Sequence, residues 1–179
     1  NIPDALLGEI VAPNPLPEHK NPSQLIETKL SCPEGSLPLE EIARPDQRVS
    51  IIIDDISRAT PTADILPHVL NRLTKAGIPR KNISIIIALG SHRPLSHTEI
   101  ISKIGSDIAC DYHIVNVSCD SDENMCLIGN TPDGIPAEVN RWVLEADLRI
   151  GIGAINPHMD AGFSGGGKIN MIEALHNNC

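Results

Sequence analysis

Two similar apolar runs, VSIIIDD at 49–55 and ISIIIAL at 83–89, constrain this chain more than any other feature. Each is short, rich in β-branched isoleucine and broken by a single serine, the pattern of a strand buried on both faces of a parallel sheet. Behind the first run, Thr60-Pro61 offers a helix start. Ile65, Leu66, Val69, Leu70 and Leu73 then follow at helical spacing until Gly77 and Pro79 close the element. Behind the second, the polar loop GSHRPL leads to Ser96-His97-Thr98-Glu99, a capping-box sequence opening a short helix that stops near Gly105. A third strand is expected over YHIVNVS, 112–118, and a fourth over DLRIGIGAI, 147–155. Between them, Pro132-Asp133-Gly134 signals a turn, so a hairpin is expected to interrupt the alternation, followed by a helix over 137–146. The expected fold class is therefore α/β: a Rossmann-like parallel sheet with flanking helices and right-handed crossovers.

The first 48 residues are different in kind. They hold eight of the 15 prolines, which disfavours long regular elements, so a β-rich N-terminal segment of short strands and loops is expected over 1–48. Residues 49–179 are expected to form the α/β catalytic and cofactor-binding domain. Only 2% of residues are aromatic, so the core must be built from Ile, Leu, Val and Ala. A net charge of -9 argues against nonspecific nucleic-acid binding, which needs a basic face, and implies that any anionic substrate meets locally placed cations. No run of 18 apolar residues occurs and the start lacks the blocks of a signal peptide, so no membrane partner and a cytoplasmic location are expected. The five cysteines include no C-x-x-C pair and read as reduced structural thiols.

Chemistry concentrates in three loops, each following an expected strand, and ligands of open parallel sheets sit at strand carboxyl ends. The first loop supplies Asp54, Asp55, Ser57, Arg58 and Thr60; the second Ser91, His92 and Arg93; the third Asn156, His158, Ser164 and Lys168. Lys168 ends the stretch GFSGGGK, which fits G-x-x-x-x-G-K, but the next position is Ile169, where a Walker loop needs a hydroxyl for magnesium. Gly165, Gly166 and Gly167 beside an ammonium still suit a negatively charged ligand. Taken singly, these residues have plain structural explanations: Asp55 and Ser57 as caps, Arg58 and His92 as surface groups. Taken jointly, two histidines can exchange protons near neutral pH on opposite faces of one substrate, and an arginine can clamp a carboxylate. A nucleotide-binding or phosphate-binding module, or a phosphotransferase built on the glycine loop, remains the alternative.

DDISRATP at 54–61, LGSHRPLSHTEI at 89–100 and NPHMDAGFSGGGKI at 156–169, in that order, resemble the amino-terminal domain of the nickel-pincer lactate racemase family. The similarity runs from about residue 8 to Lys168. It implies a two-domain enzyme that racemises or epimerises a lactate-like 2-hydroxy acid with a nickel pincer nucleotide, a pyridinium mononucleotide bearing thioamide and thiocarboxylate arms. By this resemblance Lys168 carries the cofactor through a thioamide, so Ile169 needs no hydroxyl. His92 and His158 would be the alternating proton acceptors, Arg58 would hold the substrate carboxylate, and Asp55 would orient the arginine or the cofactor. Cofactor-biosynthesis proteins are implied as partners. The family continues past the lysine with a Leu-Pro-Gly loop and later a nickel-ligating histidine, whereas here KINMIEALHNNC puts His176 eight residues on. Because NMIEALH resembles the helix ending in that histidine, His176 is the expected metal ligand, the alternative being that the ligand is lost. A second, carboxyl-terminal domain is expected to be missing, and the chain alone to be inactive.

Overall fold

The computed structural model describes residues 8, 21–90, 92–116, 124–134, 136–159 and 162–166. Two helices, α1 (Pro22–Ser31) and α2 (Leu39–Ile42), lead into β1 (Val49–Asp54) and α3 (Thr62–Lys75). β2 (Ile83–Ala88), α4 (His97–Ile104), α5 (Ser106–Asp111) and β3 (His113–Val115) follow. The hairpin β4 (Met125–Asn130) and β5 (Pro136–Asn140) precedes α6 (Arg141–Leu144) and β6 (Leu148–Ile152). A two-residue pair, β7 (Pro157–His158) and β8 (Gly162–Phe163), comes last.

Four strands form one parallel sheet in the order β3-β2-β1-β6. Its faces divide by residue parity, as side chains on a strand must. Ile51, Ile53, Ile85 and Ile87 pack with Leu66, Val69, Leu70 and Leu73 of α3 and Ile104 of α4. Ile52, Ile86, Ala88 and Val115 pack with Val143 of α6, against which Val139 and Trp142 also rest. Covering both faces explains why the central runs are apolar without alternation. β-Branched isoleucines fill this core in place of rings.

The parallel sheet, the capping box of α4 and the turn-linked hairpin agree with the expectations from sequence. In α4 the Ser96 hydroxyl accepts from Glu99 N, while Ser96 N donates to the Glu99 carboxylate at 2.7 Å. Gly105 then ends the helix at φ +89°, a conformation natural to glycine.

Two expectations are corrected. The described part of the proline-rich segment, 21–48, is helical with no strand. Pro22 stands at the first helical position, where its missing N–H costs nothing, and Asn21 caps the helix by accepting from Gln24 N. α1 is then held by Arg72 of α3, which bonds Glu27, Ser31 and the Leu30 carbonyl. Residues 137–140, expected to be helical, pair instead with the hairpin's first strand, and helix begins only at Arg141, capped by Asn140. Cross-strand pairing overrode a short helical pattern there. Beyond Gly105 a further short helix, α5, was not anticipated.

Candidate active site

β1 lies between β2 and β6, with Asp54 paired to Ala88 and Ile53 to Ile152. The loops after these three strands therefore leave the sheet from adjacent carboxyl ends. The chain steps from β1 through β2 to β3 on one side, then returns to β6 on the other. Strand order thus reverses between β1 and β6, and the crevice outside such a reversal is the usual ligand site of an open parallel sheet.

Asp55, whose side chain is only 7% exposed, organises the first two loops. Its Oδ1 accepts from Ser57 N at 3.1 Å and from Ser57 Oγ at 2.6 Å, while its Oδ2 meets Nδ1 of His92. Burial pushes the Asp55 carboxyl up, but the bonds from Ser57 and His92 outweigh it and hold the group below its ordinary value. An ionised carboxylate only accepts, so Nδ1 of His92 carries the proton and donates. In the neutral ring Nε2 is then the lone-pair nitrogen, the atom a general base needs. His92 is half exposed and lines a cavity of about 290 Å³ with Asp55, Ile56, Ser57, Arg93 and Leu95.

The neighbouring carboxylate has another task. Asp54 is buried with Lys103 of α4, whose Nζ donates to Asp54 Oδ1 at 2.7 Å and to the Arg58 carbonyl at 3.2 Å. Thr60 Oγ1 donates to Asp54 Oδ2. Arg58 N closes a turn on the Asp55 carbonyl at 3.3 Å, which leaves Arg58 half-buried at the centre of a pinned loop. Arg93, the other cation of these loops, is bonded through both guanidinium nitrogens to Glu99, at 2.9 and 2.7 Å. That pairing commits Arg93 to the start of α4.

In the third loop His158 is half-buried and pairs with Gly162 across β7 and β8. The loop is clasped by buried Ser164, whose N and Oγ donate to the Asn156 carbonyl at 2.8 and 3.3 Å. Gly165 follows at φ +73°, where a Cβ would stand 2.3 Å from the Ala154 carbonyl oxygen. Its bareness is therefore required by the chain's own packing. At Gly166, φ +53°, nothing among the described residues lies within 4 Å of such a Cβ. Gly167, Lys168 and His176, like Ser91, lie outside the described residues.

Residues 1–174 match the lactate racemase N-terminal domain family. The chain belongs to that family. It is 40% identical over 145 residues to a lactate racemase of Lactiplantibacillus plantarum, covering 81% of this chain and 34% of that protein. A lactate racemase of Thermoanaerobacterium thermosaccharolyticum is 35% identical over 144 residues, covering 80% of this chain and 34% of its own. The structure of the lactate racemase apoprotein from the latter organism matches with a TM-score of 0.77 at 32% identity, over 86% of this chain and 36% of that one. A crystal structure of a Thermotoga maritima protein matches with a TM-score of 0.70 at 25% identity, over 86% and 38% of the two chains. This chain thus spans about a third of the curated relatives it matches.

Among the described residues, no group of three or more His, Cys, Asp or Glu side chains could hold a metal ion. His92 is committed through Nδ1 to Asp55. No helix among the described residues is long and apolar enough to cross a membrane. Of the residues that shape the site, Lys103 escaped the sequence reading. Its signal was position: in HTEIISKI it stands with Ile100 and Ile104 on the apolar side of α4, where a lone lysine implies a buried partner.

Proposed function

We propose that this chain is the cofactor-bearing part of a 2-hydroxy-acid racemase or epimerase, working in the cytoplasm on a lactate-like substrate. The observation that carries the reading is the Asp55–His92 pair beside the cavity, at the adjacent carboxyl ends of β1 and β2. The buried carboxylate fixes the tautomer and orientation of the imidazole, so Nε2 is available to take the proton of a substrate hydroxyl. His158, from the adjacent strand's loop, would perform the same transfer for the opposite enantiomer. Arg58 would hold the substrate carboxylate in a bidentate fork, so that the carbon bearing the hydroxyl is presented to either base. Lys168 would tether a nickel pincer nucleotide, with His176 as the protein's metal ligand and Ser57, Asp55 and the glycines of 165–167 beside it. When bound, that cofactor supplies the acceptor and donor for the hydride at the substrate carbon. Proteins that synthesise the cofactor are the implied partners.

The test uses the full-length protein loaded with cofactor. His92→Asn and His158→Asn should each lower kcat by about 10²–10⁴-fold, the usual worth of a positioned acid–base group, without releasing the cofactor. Undiminished turnover in both variants would refute the reading and return the chain to the class of nucleotide-binding modules.

A further inference from the structure

Lys103 has no direct role in the chemistry above, yet its placement is costly. Its side chain is 6% exposed and that of Asp54 3%. Taking two charges from water costs several kcal/mol per ion, and well-packed apolar residues often stabilise a fold equally well. Stability alone is thus a weak reason for an ammonium and a carboxylate here. Their hydrogen bonds show a more specific result. Lys103 spends one N–H on Asp54 and another on the main-chain carbonyl of Arg58, 45 residues away in sequence. Thr60 grips the other oxygen of the same carboxylate. Asp55 meanwhile receives Ser57 N and its carbonyl receives Arg58 N. Every residue from Asp54 to Arg58 except Ile56, and Thr60 as well, is held by these bonds, and Lys103 ties the loop to α4.

We infer that Lys103 is a positioning residue for carboxylate recognition: its buried ammonium fixes the main chain of Arg58 and so the origin of the guanidinium fork. The inference rests on the reading of Arg58 as the carboxylate clamp. A bidentate contact tolerates little displacement, and a shift of about 1 Å in a clamp can cost as much as losing a contact. Lys103 thus acts on binding through another residue, and touches neither substrate nor cofactor.

A double-mutant cycle in the full-length, cofactor-loaded protein tests this, with KM and kcat for the 2-hydroxy acid as readouts. Arg58→Ala should raise KM. Lys103→Met should also raise KM, by about tenfold, with kcat changed less than about twofold, because binding common to ground and transition states is lost. In the Arg58→Ala background Lys103→Met should add nothing, since the group it positions is gone. A residue that merely stabilised the fold would give additive effects. Lys103→Met leaves Asp54 buried without a partner, so Asp54→Asn/Lys103→Met is the companion variant: it removes both charges and still deprives the Arg58 carbonyl of its donor. The same rise in KM is expected there. Unchanged KM in Arg58→Ala would defeat the clamp reading and this inference with it. Raised KM in Arg58→Ala, with an unchanged KM in whichever Lys103 variant folds, or additive effects, would overturn this inference alone.

Discussion

Replacing Gly165 by alanine should loosen the third loop far more than the same change at Gly166, although both glycines are left-handed and adjacent. Two penalties meet at Gly165. An alanine at φ +73° is strained by about 1–2 kcal/mol, as is one at φ +53°. Only at Gly165 does the new methyl fall 2.3 Å from the Ala154 carbonyl oxygen, against an ordinary contact of 3.4 Å or more. The backbone must retreat by about 1 Å, and the Ser164 clasp on Asn156, with bonds of 2.8 and 3.3 Å, lies next in the chain. Losing both bonds adds about 1 kcal/mol each. The sum is about 3–4 kcal/mol for Gly165→Ala and about 1–2 kcal/mol for Gly166→Ala. Since about 1.4 kcal/mol is a factor of ten, protection of the Ser164 amide against hydrogen exchange should fall by about 10²-fold or more in the first variant. In the second it should fall by about tenfold. Equal loss of protection in the two variants would show that the approach to Ala154 does not govern the loop.

Other expectations follow from the charge network. The Asp55 carboxyl, held below its ordinary 3.8, should titrate below that value by NMR. Since its folded pKa is depressed, its contribution to stability is complete above the unfolded value and is lost as pH falls through the folded one; a midpoint at or above 3.8 would contradict this. Glu99, bonded by Arg93 and then by Ser96, is held at about 2; Arg93→Ala should move its midpoint part of the way back towards 4.5, because the Ser96 bonds remain. Arg72→Met removes the guanidinium that ties Glu27 and Glu40 to α3, so limited proteolysis between α1 and α2 should accelerate by about tenfold while the sheet stays protected. Equal cleavage rates in both proteins would place the anchoring of α1 elsewhere.

What the sequence made legible was what neighbouring residues decide. VSIIIDD and ISIIIAL announced central strands because burial on both faces demands continuous apolar residues. Ser96 and Glu99 announced a helix start because both partners of the capping box lie within four positions. Composition misled over 21–48, since Pro22 tolerates a helix that begins on it while the other described prolines of this segment, Pro33, Pro38 and Pro45, stand outside the helices. The helix expected over 137–146 is present only as Arg141–Leu144, for the opposite reason: Glu138 and Val139 find partners at Leu127 and Cys126, and no local rule supplies those. In the site, the two loops bearing Asp55 and His92 were read correctly as neighbours, but their hydrogen bond spans 37 residues and was not. Arg93, one position after His92, is committed to Glu99 of α4 instead.

The two consecutive carboxylates at the end of β1 show why a motif of this kind resists decoding from sequence. Asp54 and Asp55 are chemically identical and adjacent, yet one ends a strand against a buried ammonium and the other turns to an imidazole beside a cavity. Asp54 serves the frame: through Lys103 and Thr60 it fixes where Arg58 stands. Asp55 serves the imidazole: through Nδ1 it sets the tautomer of His92. Exchanging the roles is impossible without moving α4 or the second loop, because each role is defined by what the fold brings opposite. Asp54→Asn and Asp55→Asn should therefore part company. The first should act on substrate affinity through Arg58, and the second on the rate of proton transfer through His92.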